Sequence, residues 1–287
     1  SGLEIDDFAP RMSFFFGCHN DFFEEISKFR AARELWYELV NERFEPKNPK
    51  SSQLRFHTQT AGVTLTAQQP MNNAVRVSYQ ALSAVLGGTQ SLHTNSFDEA
   101  IGLPTKESVK IALRTQQIIA SETGVADVVD PLAGSYHVEE LTASIKENAR
   151  NLIIEIENKG GVLDCLKIGF QQKMIHDSAW KEIKDIEENN ILVVGVNSNI
   201  EEDEVLKSAM KIDSGNENRQ IKKLDKFKQR RDEQIVSQKL EELREVCKGT
   251  ENIMPLLIDS LKFGATVGEV NGIMREVFGT WVSPSGV

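Results

Sequence analysis

The segment Arg55-Phe56-His57-Thr58-Gln59-Thr60-Ala61-Gly62 crowds a guanidinium, an imidazole, an amide and two hydroxyls into one short run before a glycine. A strand buried in a parallel sheet should be nearly continuously apolar. Polar groups placed there need partners. Such donors suit the orientation of a polar ligand, and Gly62 would let the backbone approach it closely. The competing reading is a hydrogen-bonded core network. Gln90-Ser91-Leu92-His93-Thr94-Asn95-Ser96-Phe97-Asp98-Glu99 has the same style, with Gln90, Ser91, Asn95 and Glu99 suited to hydroxyls or amides. Its competing reading is a short helix capped by Asn95 or Ser96, with Asp98 and Glu99 in the first turn. Arg11, with Ser13 and Lys50, could meet phosphates through charge-assisted hydrogen bonds, or could simply be solvated charge. His19, His137 and His176 are scattered without metal-ligand spacing, so no metal site is assigned. No Ser/His/Asp order, Cys/His setting or carboxylate pair stands out. An imported cofactor carrying the reactive atom would explain that gap.

The elements that must position these residues alternate. A strand is expected over 3–16, irregular at Pro10, and a helix over 21–44 with Asp21 as its cap. A second strand covers 53–60 and a helix 71–87 ends at Gly87-Gly88. A third strand spans 89–94, followed by a helix over 105–123 between Pro104 and Gly124. A fourth strand, 125–129, leads to a helix over 136–159. Four strand–helix units make residues 1–161 a parallel α/β domain. The polar residues are expected at the strand C-termini, where such folds bind ligands. Four units are half of an eight-fold barrel, and a half barrel leaves raw edges to be covered. Residues 162–287 read as mainly helical: a helix over 162–187, a short strand at 191–196, a charge-rich stretch at 201–217, a helix or helix pair over 218–247 and a last helix over 265–278.

The chain has 287 residues with 33 Lys+Arg against 43 Asp+Glu, a formal net charge of -10. That balance argues against nucleic acid as the main partner. The 40% apolar content is ample for a core. Cys18, Cys165 and Cys247 form no framework, which points to a reducing, cytoplasmic setting. The longest apolar runs are too short for a bilayer. The chain opens without an initiator Met and reads as the middle of a longer protein.

The blocks Asp7-Phe8-Ala9-Pro10-Arg11-Met12-Ser13-Phe14-Phe15, Arg55 to Thr60, Asn72-Asn73 and Gly88 to Ala100 together resemble the acyl-CoA mutases of the methylmalonyl-CoA mutase type, catalytic large subunit. Asp130-Pro131, Gly134-Ser135-Tyr136 and Val194-Gly195-Val196-Asn197 continue the match across nearly the whole chain. The resemblance implies the C-terminal half of a (β/α)8 TIM-type barrel followed by a mainly helical region. It implies adenosylcobalamin, whose adenosyl radical takes hydrogen from a CoA thioester before the carbon skeleton rearranges. The acyl-CoA threads the barrel axis and the cobalamin caps the strand C-termini.

By motif, Arg11, Met12 and Ser13 resemble CoA contacts, with Lys50, Arg55, Gln90 and Ser91 on the same side. Met12 replaces a residue often Leu. His57 and Gln59 resemble residues lining the cavity between cofactor and substrate, the catalytic pair. Gly62, Asn95, Glu99 and Gly102 match positions toward the cobalamin or its adenosyl group. The family's first half-barrel and its cobalamin-binding domain have no counterpart here. The resemblance therefore implies a large subunit with a separate small cobalamin-binding subunit and a missing N-terminal half-barrel. The half alone is expected to be inactive and to pair, as a homo- or hetero-oligomer, through its open edges. Methylmalonyl-CoA to succinyl-CoA is the default reaction. Isobutyryl-CoA, ethylmalonyl-CoA or 2-hydroxyisobutyryl-CoA mutase is the alternative, and a non-catalytic assembly module is an alternative of another class. A different α/β barrel enzyme for phosphorylated substrates stands only if the resemblance is false.

Overall fold

A computed structural model describes residues 2–201, 213, 215–282 and 284. The chain divides into two compact units, Ser1–Met210 and Lys211–Gly286.

The first unit is α/β, built on a three-stranded parallel sheet in the order β1-β2-β3. The strands are β1 (Phe14–Cys18), β2 (Phe56–Thr60) and β3 (Ser91–His93). Phe15 pairs with His57, which pairs with Ser91; Gly17 pairs with Gln59, which pairs with His93. Side chains alternate across a strand. Phe16, Cys18, Phe56 and Leu92 therefore face a helical layer, where Phe29 and Ala84 complete the core. Phe29 stacks on Phe56 with ring centroids 5.2 Å apart. Each such ring contributes about 2 kcal/mol of burial. The opposite face carries Phe15, Gly17, His57, Gln59, Ser91 and His93, all half-buried or exposed.

The helical layer consists of α2 (Phe22–Phe44), α3 (Asn72–Leu86) and α4 (Lys106–Glu122). The short α1 (Ile5–Phe8) precedes them. Asp21 caps α2 by accepting from the Glu24 amide at 3.1 Å. Thr105 caps α4 through the Ser108 amide. α3 ends at Gly87, where any larger residue would be crowded: a methyl group there would lie 2.6 Å from Phe29 Cδ2.

Departures from expectation have identifiable causes. Residues 3–16 are not one strand: α1 and a 3-10 turn, Ala9–Arg11, precede β1. Asp6 anchors this start, accepting from the Lys47 and Asn48 amides and the Ser51 hydroxyl. The fourth strand does not form. Val125–Asp127 is a 3-10 turn, and Val129 is 97% exposed. Arg30 grips Asp130 through Nε and Nη2 while Asp130 adopts φ +47, which turns the chain away from β3. The next helix, α5 (Tyr136–Asn158), packs on α2 instead of continuing past α4. Lys146 bridges Glu34 and Glu38, and Arg150 bridges Glu38 and Glu42, along that pair. Residues 162–187 break into α6 (Val162–Lys167) and α7 (Phe170–Glu187) at Gly169.

The expected strand at 191–196 is instead a loop with one bridge, Val194 to Ser198. Asn197 holds it, donating to the Ile186 and Ile191 carbonyls and accepting from the Val193 amide.

The second unit is helical: α8 (Gly215–Arg230), α9 (Glu233–Cys247), α10 (Met254–Lys262) and α11 (Val267–Phe278). Of the helix or helix pair expected over 218–247 the structure has the pair, α8 and α9, divided where Asp232 caps α9. Its core is Val236, Leu243, Cys247, Ala265, Val270 and Ile273. Arg231 clamps Glu269 through both Nη atoms and holds that carboxyl down to about 2. Most of the charge-rich stretch 201–217 lies outside the described residues. Among the described residues, no helix is long and apolar enough to cross a membrane.

Candidate functional site

The sequence reading gathered the polar residues at the strand C-termini. The structure divides them between two ends of one sheet face. Arg11, Met12 and Ser13 precede β1, Lys50 and Arg55 precede β2, and Gln90 and Ser91 open β3. These stand at the strand N-termini, where Arg11, Ser13, Lys50 and Arg55 are exposed. The cause is the position of β1, which begins at Phe14 and not before Arg11. Arg55 leans back onto the Met12 carbonyl at 3.4 Å. Gly62, Asn95, Glu99 and Gly102 lie beyond the C-terminal ends. From Arg55 to Ala61 the extended chain covers roughly 20 Å at about 3.3 Å per residue.

At the C-terminal end the parts interlock. Asn95, 2% exposed, donates Nδ2 to the Thr60 carbonyl at 2.9 Å. Its own amide donates to Thr60 Oγ1. A backbone carbonyl can only accept, so the Asn95 amide orientation is set and its Oδ1 faces Gln59. Gln59 therefore donates Nε2 to Asn95 Oδ1 at 3.2 Å, leaving its Oε1 as an acceptor on the open face. A methyl group on Gly62 would meet Asn95 Nδ2 at 3.0 Å and Glu99 Oε1 at 3.3 Å. Gly62 is thus the position that lets Glu99 and Asn95 close over β2. Residues 97–101 form turns, so the capped-helix reading of Asn95 and Ser96 does not hold. Gly102 continues that turn, its amide on the Asp98 carbonyl.

On the sheet itself, His57 Nδ1 lies 2.5 Å from Ser91 Oγ. Phe15 packs against the imidazole from the other side, centroids 5.1 Å apart. Gln90 turns inward: its Oε1 accepts from the Phe56 amide at 2.7 Å and its Nε2 donates to the Gly88 carbonyl. It closes the sheet where β3 begins.

The sequence reading left out three residues of this face. His93 and Gly17 flank Gln59 in register, and Phe15 flanks His57. Period-two alternation from Ser91 was the available signal for His93. Asn73 was quoted in the resemblance but given no role; fully buried, it ties the two loops beyond β2 and β3 together. Asn73 Nδ2 donates to the Thr66 and Phe97 carbonyls, while Oδ1 accepts from the Thr66 amide and Arg76 Nη1.

A cavity of about 1050 Å³ lies elsewhere, lined by His19, Arg76, Tyr79, Glu182 and Val194 among others. None of the sequence-predicted site residues lines it. Cys18 is no nucleophile: burial pushes its thiol up to about 12. Among the described residues, no group of His, Cys, Asp and Glu is placed to hold a metal ion.

The family model described as methylmalonyl-CoA mutase matches residues 1–280. The chain is 45% identical, over 98% of its length, to the 2-hydroxyisobutanoyl-CoA mutase large subunit of Aquincola tertiaricarbonis, of which it covers 50%. It is 44% identical to methylmalonyl-CoA mutase of Rhizobium meliloti over 98% of its length, covering 40% of that protein. Against the mitochondrial methylmalonyl-CoA mutase of Homo sapiens the figures are 45% identity, 97% and 38%. The chain thus spans half or less of the length of these relatives. With the family model matched along nearly all of it, the chain belongs to the methylmalonyl-CoA mutase family.

Proposed function

We propose that this chain is the C-terminal part of the large subunit of an adenosylcobalamin-dependent acyl-CoA mutase, interconverting methylmalonyl-CoA and succinyl-CoA in the whole protein. The observation that carries this reading is the two-ended open face. A long thioester laid along β2 would meet Arg11, Lys50 and Arg55 at one end, where cations suit its phosphates. Its acyl end would then lie against His57 and Gln59.

The C-terminal end fits the cofactor's hydroxyl-bearing adenosyl group. Glu99 is exposed and Gln59 Oε1 is a free acceptor, while Gly62 and Gly102 leave the rim low. Asn95, Glu99, Gly62 and Gly102 would hold that group. Bound there, adenosylcobalamin would supply the homolytic chemistry that starts the rearrangement. The chain's own residues orient the ester, and the sheet walls one side of a cavity that must exclude water.

Parallel sheets are covered on both faces. Among the described residues only one is, which supports a half of a (β/α)8 barrel completed by an N-terminal half. The relative named as a large subunit supports a separate small cobalamin-binding partner, and the three buried free cysteines suit a cytoplasmic, reducing setting. The same relative favours a second reading, 2-hydroxyisobutyryl-CoA as substrate, because this chain is as similar to it as to the methylmalonyl-CoA mutases.

The test is turnover by the full-length protein with its cobalamin-binding partner, followed by product analysis. Cofactor-dependent isomerisation of methylmalonyl-CoA is expected. Turnover of 2-hydroxyisobutyryl-CoA alone moves the substrate to the second reading, and none on either ester counts against the mutase reading.

A further inference from the structure

We propose that Ser91 is a positioning residue for His57, fixing the imidazole as the tautomer protonated on Nε2, so that the open face presents a hydrogen-bond donor to a carbonyl-bearing ligand. This rests on the mutase reading only for the nature of that ligand.

The two residues are register partners across β2 and β3. Ser91 Oγ lies 2.5 Å from His57 Nδ1, and this is the hydroxyl's hydrogen bond among the described residues. The Ser91 hydroxyl can rotate to donate, and an unprotonated Nδ1 is the acceptor it has among the described residues. In a neutral imidazole one nitrogen donates and the other accepts. An accepting Nδ1 therefore leaves the proton on Nε2. Phe15, the register partner on β1, packs on the ring at 5.1 Å and 44° from the opposite strand. The ring is thus held from both sides, and rotating it would break the Ser91 contact.

One row further along, the polarity reverses. Asn95 occupies the Gln59 amide nitrogen, so Oε1 faces outward as an acceptor. The face then offers a donor at His57 and an acceptor at Gln59. That order selects a ligand with its carbonyl toward the first row and a hydroxyl or N–H toward the second. The resemblance gives Ser91 to CoA, whereas the geometry gives its hydroxyl to His57.

The test is long-range 1H–15N NMR on the chain labelled in its histidines, at about pH 8. His57→Gln assigns the His57 signals. Wild type should show Nδ1 unprotonated and Nε2 protonated. Ser91→Ala should move both nitrogens toward an average, and Ser91→Thr, which keeps the hydroxyl, should restore the wild-type pattern. A proton on Nδ1 in wild type, or an unchanged tautomer in a folded Ser91→Ala, overturns the proposal. Should Ser91→Ala fail to fold, as judged by circular dichroism, the wild-type and Ser91→Thr patterns decide. Absent mutase turnover with the expected tautomer would sink the proposed function and leave this assignment standing. Turnover with the wrong tautomer would do the reverse.

Discussion

Asn73→Ala should destabilise the first unit severely, although Asn73 touches no residue expected to bind a ligand. The side chain is fully buried and takes part in four hydrogen bonds, to the Thr66 amide and carbonyl, the Phe97 carbonyl and Arg76. At about 1 kcal/mol net for each, the loss is about 4 kcal/mol. Water entering the vacated space would recover part, so roughly 3 kcal/mol is a lower bound for the reasoning. For a unit of this size that corresponds to a fall in melting temperature of roughly 6–12 °C.

Asn73→Asp is the sharper perturbation. It keeps an acceptor toward Thr66 N and Arg76 but turns an oxygen on the Thr66 and Phe97 carbonyls, so it should cost at least as much. Urea unfolding followed by circular dichroism measures both. A loss clearly below roughly 3 kcal/mol in either variant would show that the loops beyond β2 and β3 are held by something else.

Other outcomes follow from single contacts. Gly87→Ala should cost about 1–3 kcal/mol in urea unfolding, because its methyl group would lie 2.6 Å from Phe29 Cδ2; a neutral result would mean that Phe29 moves freely. Acid should loosen the second unit. The Glu269 carboxyl falls from an ordinary 4.5 to about 2 beside Arg231, so its stabilisation is present above pH 4.5 and is lost as pH drops toward 2. Glu269→Gln should flatten that part of an acid titration, and an unchanged profile would count against the pairing. The open face should drive self-association: light scattering on the chain should give more than a monomer mass, and Phe15→Glu, at a position 64% exposed, should lower it. A wild-type monomer at high concentration would refute this.

Helices were legible in the sequence wherever a cap or a glycine marked their ends, as with Asp21 for α2 and Gly87-Gly88 for α3. The strands were less so. β1 was placed too early because Leu3, Ile5 and Phe8 look like strand residues, yet Asp6 bonds to Lys47 and Ser51, more than forty positions along the chain, and Pro10 donates nothing. The fourth strand failed for a reason no local pattern carries: Arg30, a hundred residues earlier in the chain, holds Asp130. α10 was missed because its core contacts are shared with α9 and α11 and its own pattern is short. For the site, residue types around His57 and Asn95 announced polar work. Which end of the sheet each residue occupies depended on strand starts. The inward turn of Gln90 and the tie made by Asn73 depended on partners distant in sequence.

The register of β2 has a bearing on how such a protein can diverge. His57 and Gln59 reach the uncovered side only because Phe56, Thr58 and Thr60 fill the covered one. Adding or deleting a single residue within this strand would bury the imidazole and amide and expel Phe56. Lineages can therefore exchange side chains in this stretch, or lengthen the polar connection before it, but an indel inside the strand would remove the site and the core together.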